Sequence, residues 1–291
     1  MKAKTIKKVL RTKVAEWIAT ITDESLRKQV QQNVIVTGGA IASMLLKEPV
    51  NDYDVYFKDM ETALSVAKYY VEIFNGANDS KLQVSLEDDG RIRIVTEKGH
   101  RGETAGDVRT LTDSGEIEDI YEEAEQLALK TEDDGKPKYR PVFLSTNAIT
   151  LSQKLQIVLR FYGDPDTIHD NYDYVHCTNY WTSWDGELVL RPAALEALLS
   201  KELRYCGSKY PLCSVMRLRK FIARGWTVNA GQILKMAMQI SALDLTDPKV
   251  LEDQLTGVDS AYFIQLIEKL REKDPEKVHA AYLIEIIDRM F

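Results

Sequence analysis

The sequence predicts an α+β chain, with a mixed-sheet domain over residues 1–190 and an all-helical domain over 191–291. Three observations carry that expectation. Short β-branched runs, headed by Val34-Ile35-Val36-Thr37, alternate with helical stretches through the first half. Two alternating runs around residues 82–86 and 91–95 flank Asp88-Asp89-Gly90, the pattern of a β-hairpin. Near residue 190 the apolar spacing becomes helical and stays helical to the end.

Taken in order, residues 5–20 place Ile6, Val9, Leu10, Val14, Trp17 and Ile18 on one helical stripe. Thr22 or Asp23 can cap a second helix that runs through Val30. A strand over 34–37, two glycines, a helix over 40–47 and a strand over 52–57 follow. Asp59 is placed to cap a helix whose inner face is Leu64, Ala67, Tyr70, Val71 and Phe74, and Asn75-Gly76 reads as its stop. After the hairpin, 99–138 reads as a polar insertion: a loop over 99–118, a short acidic helix near 117–130, then another loop. Residues 141–151 are extended, 153–161 fit either strand or helix, and Asp164-Pro165 opens a turn or short helix. Residues 172–177 alternate like a strand. Helices are expected over 192–206, 211–224, 229–242, 248–255, 259–272 and 275–290.

Composition narrows the class. The chain has 291 residues, 44% hydrophobic and 29% charged, with a net charge of −7, which is ordinary for a globular protein and argues against indiscriminate coating of nucleic acid. The three cysteines form no CxxC pair, which suits a reducing compartment. His176, Cys206 and Cys213 match no common zinc spacing. The basic N-terminus lacks the apolar core of a signal peptide, and no run is long enough to cross a bilayer, so a cytoplasmic protein without a membrane partner is expected. The sequence sets no oligomeric state.

The chemistry gathers at Gly38-Gly39 and Asp52-Tyr53-Asp54, with twelve residues between Gly39 and Asp52. Side chains alternate along a strand, so Asp52 and Asp54 project from one face. Adjacent carboxylates repel unless a cation lies between them. Glycine lets backbone approach a phosphate closely, and a helix starting there offers free N–H groups. Asp173 is a further candidate carboxylate, with Asp164, Asp166 and Asp170 as rivals in turn-forming sequence. Residues 201–235 carry a local charge of +7, and Arg217, Lys220 and Arg224 share one helical face there. That face suits a triphosphate or a nucleic-acid backbone, or else it is solvated surface balancing the acidic insertion. Trp181, Trp184 and Trp226 are candidates for stacking a base, although tryptophans among apolar neighbours more often belong to a core.

The block from Gly38 to Asp54 resembles the signature of the DNA polymerase β-like nucleotidyltransferase superfamily. It is most similar to the head of CCA-adding and bacterial poly(A) polymerases, whose Gly-Gly-x-Val-Arg-Asp-x-Leu-Leu, five residues and Asp-x-Asp align without gaps. Ala42-Ser43 replaces that family's Arg-Asp. Asn171-Tyr172-Asp173-Tyr174-Val175 resembles its Arg-Arg-Asp-Phe-Thr strand without the arginines, and Pro211 to Arg224 resembles its neck helix. Lys209, Tyr210 and Cys213 stand where that family selects the incoming base, and none offers the same hydrogen bonds. The run 155–177 also resembles phage and viral nucleotidyltransferase-like proteins.

The resemblance implies a polymerase β-like palm with two Mg²⁺ ions, or Mn²⁺ in their place. Asp52, Asp54 and Asp173 would be the catalytic metal ligands. Gly38, Gly39, Ser43, Arg217, Lys220 and Arg224 would bind the NTP. NMP would pass to an acceptor hydroxyl, in the first instance an RNA or tRNA 3′ end, while the departures argue against standard CCA addition. The alternatives are transfer to a protein or small-molecule hydroxyl, and a non-catalytic relative that binds nucleotide or RNA.

Overall fold

The computed structural model describes residues 1–96 and 135–255. The expected loop over 99–118, the acidic helix near 117–130 and the helices over 259–272 and 275–290 lie outside the described residues. Two helices come first, α1 (Ala3–Thr20) and α2 (Glu24–Gln31). The α1 stripe is buried at Ile6, Leu10, Val14, Trp17 and Ile18, because a 3.6-residue period brings those positions to one side. Trp17 donates its indole N–H to the Tyr70 hydroxyl at 2.8 Å, so burying the ring leaves no stranded donor. Asp23 rather than Thr22 caps α2, accepting from the Leu26 N–H at 3.0 Å.

Next come β1 (Val34–Thr37), α3 (Gly39–Leu46), β2 (Tyr53–Phe57) and α4 (Met60–Asn78). Asp59 caps α4 through the Thr62 N–H at 2.7 Å. The helix continues past Asn75-Gly76 and ends at Asp79, which takes the left-handed conformation at φ 50°. The Asn75 side chain instead holds the next segment, bonding the Leu82 N–H and carbonyl at 3.0 and 2.8 Å. The expected hairpin is β3 (Leu82–Leu86) and β4 (Ile92–Thr96).

Strands β5 (Pro141–Leu144), β6 (Ala148–Leu151) and β7 (Leu155–Tyr162) lead to the short helix α5 (Pro165–His169). Of the two readings open for 153–161, the strand is the one formed. Residues 172–177, expected as a strand, form an isolated bridge at Tyr174–Tyr205 and a 3-10 turn over Val175–Cys177. Strands β8 (Tyr180–Thr182) and β9 (Leu188–Val189) were not evident in the sequence, being too short to show a period. Four helices follow: α6 (Pro192–Ser200), α7 (Pro211–Ala223), α8 (Ala230–Ile240) and α9 (Pro248–Leu255). The expected helix over 192–206 stops early, where Lys201 turns left-handed at φ 49° and its N–H bonds back to Leu198.

Seven strands form one mixed sheet in the order β5-β6-β7-β2-β1-β8-β9. Among the described strands of this sheet only β2 and β7 pair in parallel, with Asp54 opposite Gln156. The main core joins α1, α2, α4 and the hairpin to the sheet around Trp17, Phe57, Tyr70 and Phe74. A second cluster, of Ala42, Tyr174, Leu198, Leu203, Tyr205, Trp226 and Met236, seats the later helices on α3 and the 3-10 turn. Because two cores meet along α3, a cleft opens between the sheet and α7.

Candidate functional site

Strand β1 is buried along its whole length, and its end is pinned at Thr37. That hydroxyl lies 2.8 Å from His169 Nε2 and 2.9 Å from the Asn179 carbonyl. The chain then turns through Gly38 at φ 90°, a conformation that side chains rarely adopt. A β-carbon placed there would stand 2.6 Å from Asp54 Oδ2, so the carboxylate occupies the space a side chain would need. The Gly38 N–H donates to the Cys177 carbonyl at 3.1 Å. Gly38 therefore serves the site by its shape, and its N–H does not reach the cleft as expected. Gly39 begins α3 with open space around it, leaving that helix start accessible to an anion.

Asp52 and Asp54 flank Tyr53 at the head of β2, and both line the cleft. Burial raises the Asp52 carboxyl above its ordinary value, an effect opposed chiefly by the charge of Lys220 and, more weakly, by that of Arg224. Tyr56 and Tyr172 lie beside them, their phenols pushed up first by burial and further by the charge of Asp54.

Asp173 sits in the bend before the 3-10 turn, not on a strand beside β2 as expected. Its Oδ2 is 2.5 Å from Arg217 Nη1, an ion pair across the cleft. On the two strands flanking β2, the residues opposite Asp54 are Thr37 and Gln156. Among the described residues no group of three His, Cys, Asp or Glu side chains is arranged to hold a metal. The rivals of Asp173 have other work. Asp164 caps α5 through the Thr167 N–H at 2.8 Å, Asp166 pairs with Arg191, and Asp170 ends that helix.

Gly38, Gly39, Ser43, Asp52, Asp54, Asp173, Arg217, Lys220 and Arg224 all line one cleft of about 410 Å³. The basic face of α7 thus looks onto carboxylates. Trp226 also lines the cleft, its ring 4.2 Å from that of His176, whereas Trp181 is core and Trp184 lies against Lys58. The His176 imidazole is lowered to about 4 by burial and so is neutral near pH 7.

Sequence reasoning missed Gln156 and Arg160, which also face the cleft. Their signal was available in β7, where Leu155, Ile157 and Leu159 are buried and the residues between them face the other way. The Arg160 guanidinium lies 3.6 Å over the Tyr210 ring and 3.8 Å from Asp253. Of the supposed base-selecting positions, Tyr210 is thereby stacked, and Cys213 directs its thiol to the Gln254 carbonyl at 2.8 Å.

The oxygen donors of the cleft suit a divalent cation. Mg²⁺ prefers oxygen ligands and is typically held by one or two carboxylates, with water and substrate phosphates completing the shell. Two carboxylates at one strand head, one of them raised by burial, fit that demand. Asp173 fits it only if Arg217 lets go.

Similar proteins were found at two levels. In solved structures, a Thermotoga maritima CCA-adding enzyme complexed with tRNA is 12% identical at a TM-score of 0.37, covering 89% of this chain and 54% of that one. A Bacillus stearothermophilus CCA-adding enzyme in complex with CTP is 10% identical at 0.38, covering 84% and 50%. The chain thus spans about half the length of these structures. In sequence, Gabija anti-defense 2 of Bacillus phage SPbetaL7 is 20% identical over 123 residues, 42% of this chain and 31% of that protein. No helix among the described residues is long and apolar enough to cross a membrane. The sequence pattern described as Gabija anti-defense 2 family protein matches residues 8–201, well over half of the chain. The chain belongs to the Gabija anti-defense 2 family.

Proposed function

We propose that the chain is a metal-dependent nucleotidyltransferase that moves NMP from an NTP to an acceptor hydroxyl, with an RNA 3′ end such as that of tRNA as the first acceptor. One observation carries the reading: a glycine-shaped turn, a carboxylate pair and a basic helical face line a single cleft. In this reading Asp52 and Asp54 hold Mg²⁺, or Mn²⁺ in its place. When bound, the metal makes the acceptor hydroxyl more acidic and offsets charge on the departing pyrophosphate.

The remaining work falls to the chain. The start of α3 at Gly39 offers backbone N–H groups to the triphosphate, and Ser43, one turn later, adds a hydroxyl. Lys220 and Arg224 offset the phosphate charge from the opposite wall. Gly38 keeps the turn thin enough for Asp54 to stand against it. The acceptor oxygen gives up its proton to solvent water and bonds the α-phosphorus, while the bond from that phosphorus to pyrophosphate breaks and pyrophosphate departs.

Family membership favours a second acceptor, a hydroxyl on a protein component of the Gabija defence that the family is named for opposing. Incubation of the chain with each α-labelled NTP, Mg²⁺, total RNA and defence proteins separates the readings. Label in RNA supports the first acceptor, and label in a protein supports the second. Asp52→Ala with Asp54→Ala is expected to abolish either. No label from any NTP, or label that persists in the double variant, would overturn the mechanism.

A further inference from the structure

Asp173 already has a partner. Its side chain is 11% exposed, against 43% for the Arg217 that it contacts at 2.5 Å. The backbone around it is held as well. The Asp173 carbonyl accepts the Cys206 N–H at 2.8 Å, and the hydroxyl of the neighbouring Tyr174 donates to the Ser214 carbonyl on α7 at 2.7 Å. The acid is thus the buried, immobilised member of the pair, and the arginine is the member that reaches solvent in the cleft. An anchored carboxylate beside an exposed guanidinium sets the direction of the arginine fork.

We infer that Asp173 is the positioning residue for Arg217: it aims the guanidinium at the triphosphate and does not itself hold metal. The inference rests on the nucleotidyltransferase reading and deepens it. Three further observations support it. Arg217 stands one helical turn before Lys220, whose charge acts on Asp52, so the two cations face the same space. No cluster of three metal-holding side chains forms among the described residues. The two strands flanking β2 place Thr37 and Gln156 opposite Asp54, neither of them a carboxylate. The cation is then seated by Asp52 and Asp54, with phosphate oxygens and water completing its shell. Holding the arginine in place beforehand also lowers the entropy lost when a triphosphate binds.

The experiment compares the chain with Asp173→Asn, Arg217→Gln and the double variant. Two quantities are read: affinity for the α,β-methylene analogues of the four NTPs, and bound Mn²⁺ per chain at saturation by electron paramagnetic resonance. Each single variant is expected to weaken analogue binding roughly ten- to a hundredfold, the range for hydrogen bonds to charged groups. The double variant should be no weaker than Arg217→Gln alone, because Asp173 acts through that arginine. The Mn²⁺ count should not change. Loss of one Mn²⁺ in Asp173→Asn, a gain of one in Arg217→Gln, or additive losses of affinity would overturn the inference. If Asp173→Asn does not fold, Arg217→Gln decides alone, since an extra Mn²⁺ or undiminished analogue affinity refutes it. A chain that binds no analogue would overturn the nucleotidyltransferase reading itself, and this inference with it.

Discussion

At Gly38 one absent side chain decides whether Asp54 can stand where it does. The left-handed φ of 90° and the 2.6 Å approach of Asp54 Oδ2 both exclude a β-carbon. Gly38→Ala is therefore expected to displace the carboxylate and reduce nucleotide transfer at least a hundredfold, an effect of about 3 kcal/mol on the barrier. Gly39→Ala should leave Asp54 in place and cost less activity than Gly38→Ala, because that residue is helical with nothing within 4 Å of an added β-carbon. Equal losses in the two variants would refute the steric argument. The acid pair was legible at this scale because alternation along a strand is a local property. The partner of Asp173 was not, since Arg217 lies 44 residues away in the chain. No periodicity connects them.

Helix α7 turns a charge excess into a directed surface. Its three cations recur at helical spacing, so their shared face was readable, but the sequence left open whether it met solvent or substrate. In the structure it meets Asp173 and the surroundings of Asp52. Lys220→Ala and Arg224→Ala are expected to raise the KM for NTP roughly tenfold each, the loss of one charge-assisted contact, with a smaller change in kcat. Neither should much reduce the salt dependence of RNA binding, because the face lines the cleft. A drop of about one in the log–log salt slope per variant would instead mark it as an RNA track. Strand β7 shows the opposite limit. A short apolar run fits strand or helix equally, and only its parallel pairing with β2 revealed that Gln156 and Arg160 face the cleft.

Among the described residues two buried histidines tie the stability of the whole molecule to pH. His169 supports the end of β1, and His176 packs between Phe221 and Trp226 in the second cluster. Burial lowers both to about 4, with the nearby charge of Arg191 adding to the effect on His169. An unfolded histidine titrates near 6.5, so below that pH the unfolded chain takes up more protons than the folded one. Stability should therefore be full above pH 6.5 and fall as pH drops toward 4, by about 3 kcal/mol per histidine. The raised carboxyl of Asp52 works in the opposite sense at the acid end. Urea unfolding at pH 7, 5.5 and 4.5 measures the trend, and a midpoint unchanged across that series would contradict it.

By itself the sequence determined what depends on neighbours a few residues apart: the α1 stripe, the Asp59 cap, the hairpin, and the glycine turn with its two carboxylates. Those features follow from backbone period and side-chain size, which act within one or two turns of chain. Only the tertiary structure decided which residues share the cleft and which charges offset one another. It moved Asp173 off the sheet and onto Arg217, set Gln156 beside Asp54, and brought the basic face of α7 to the cleft. Those outcomes depend on strand pairing and helix packing between segments from 44 to 168 residues apart. Their energies arise only when burial removes the water that would otherwise screen each charge.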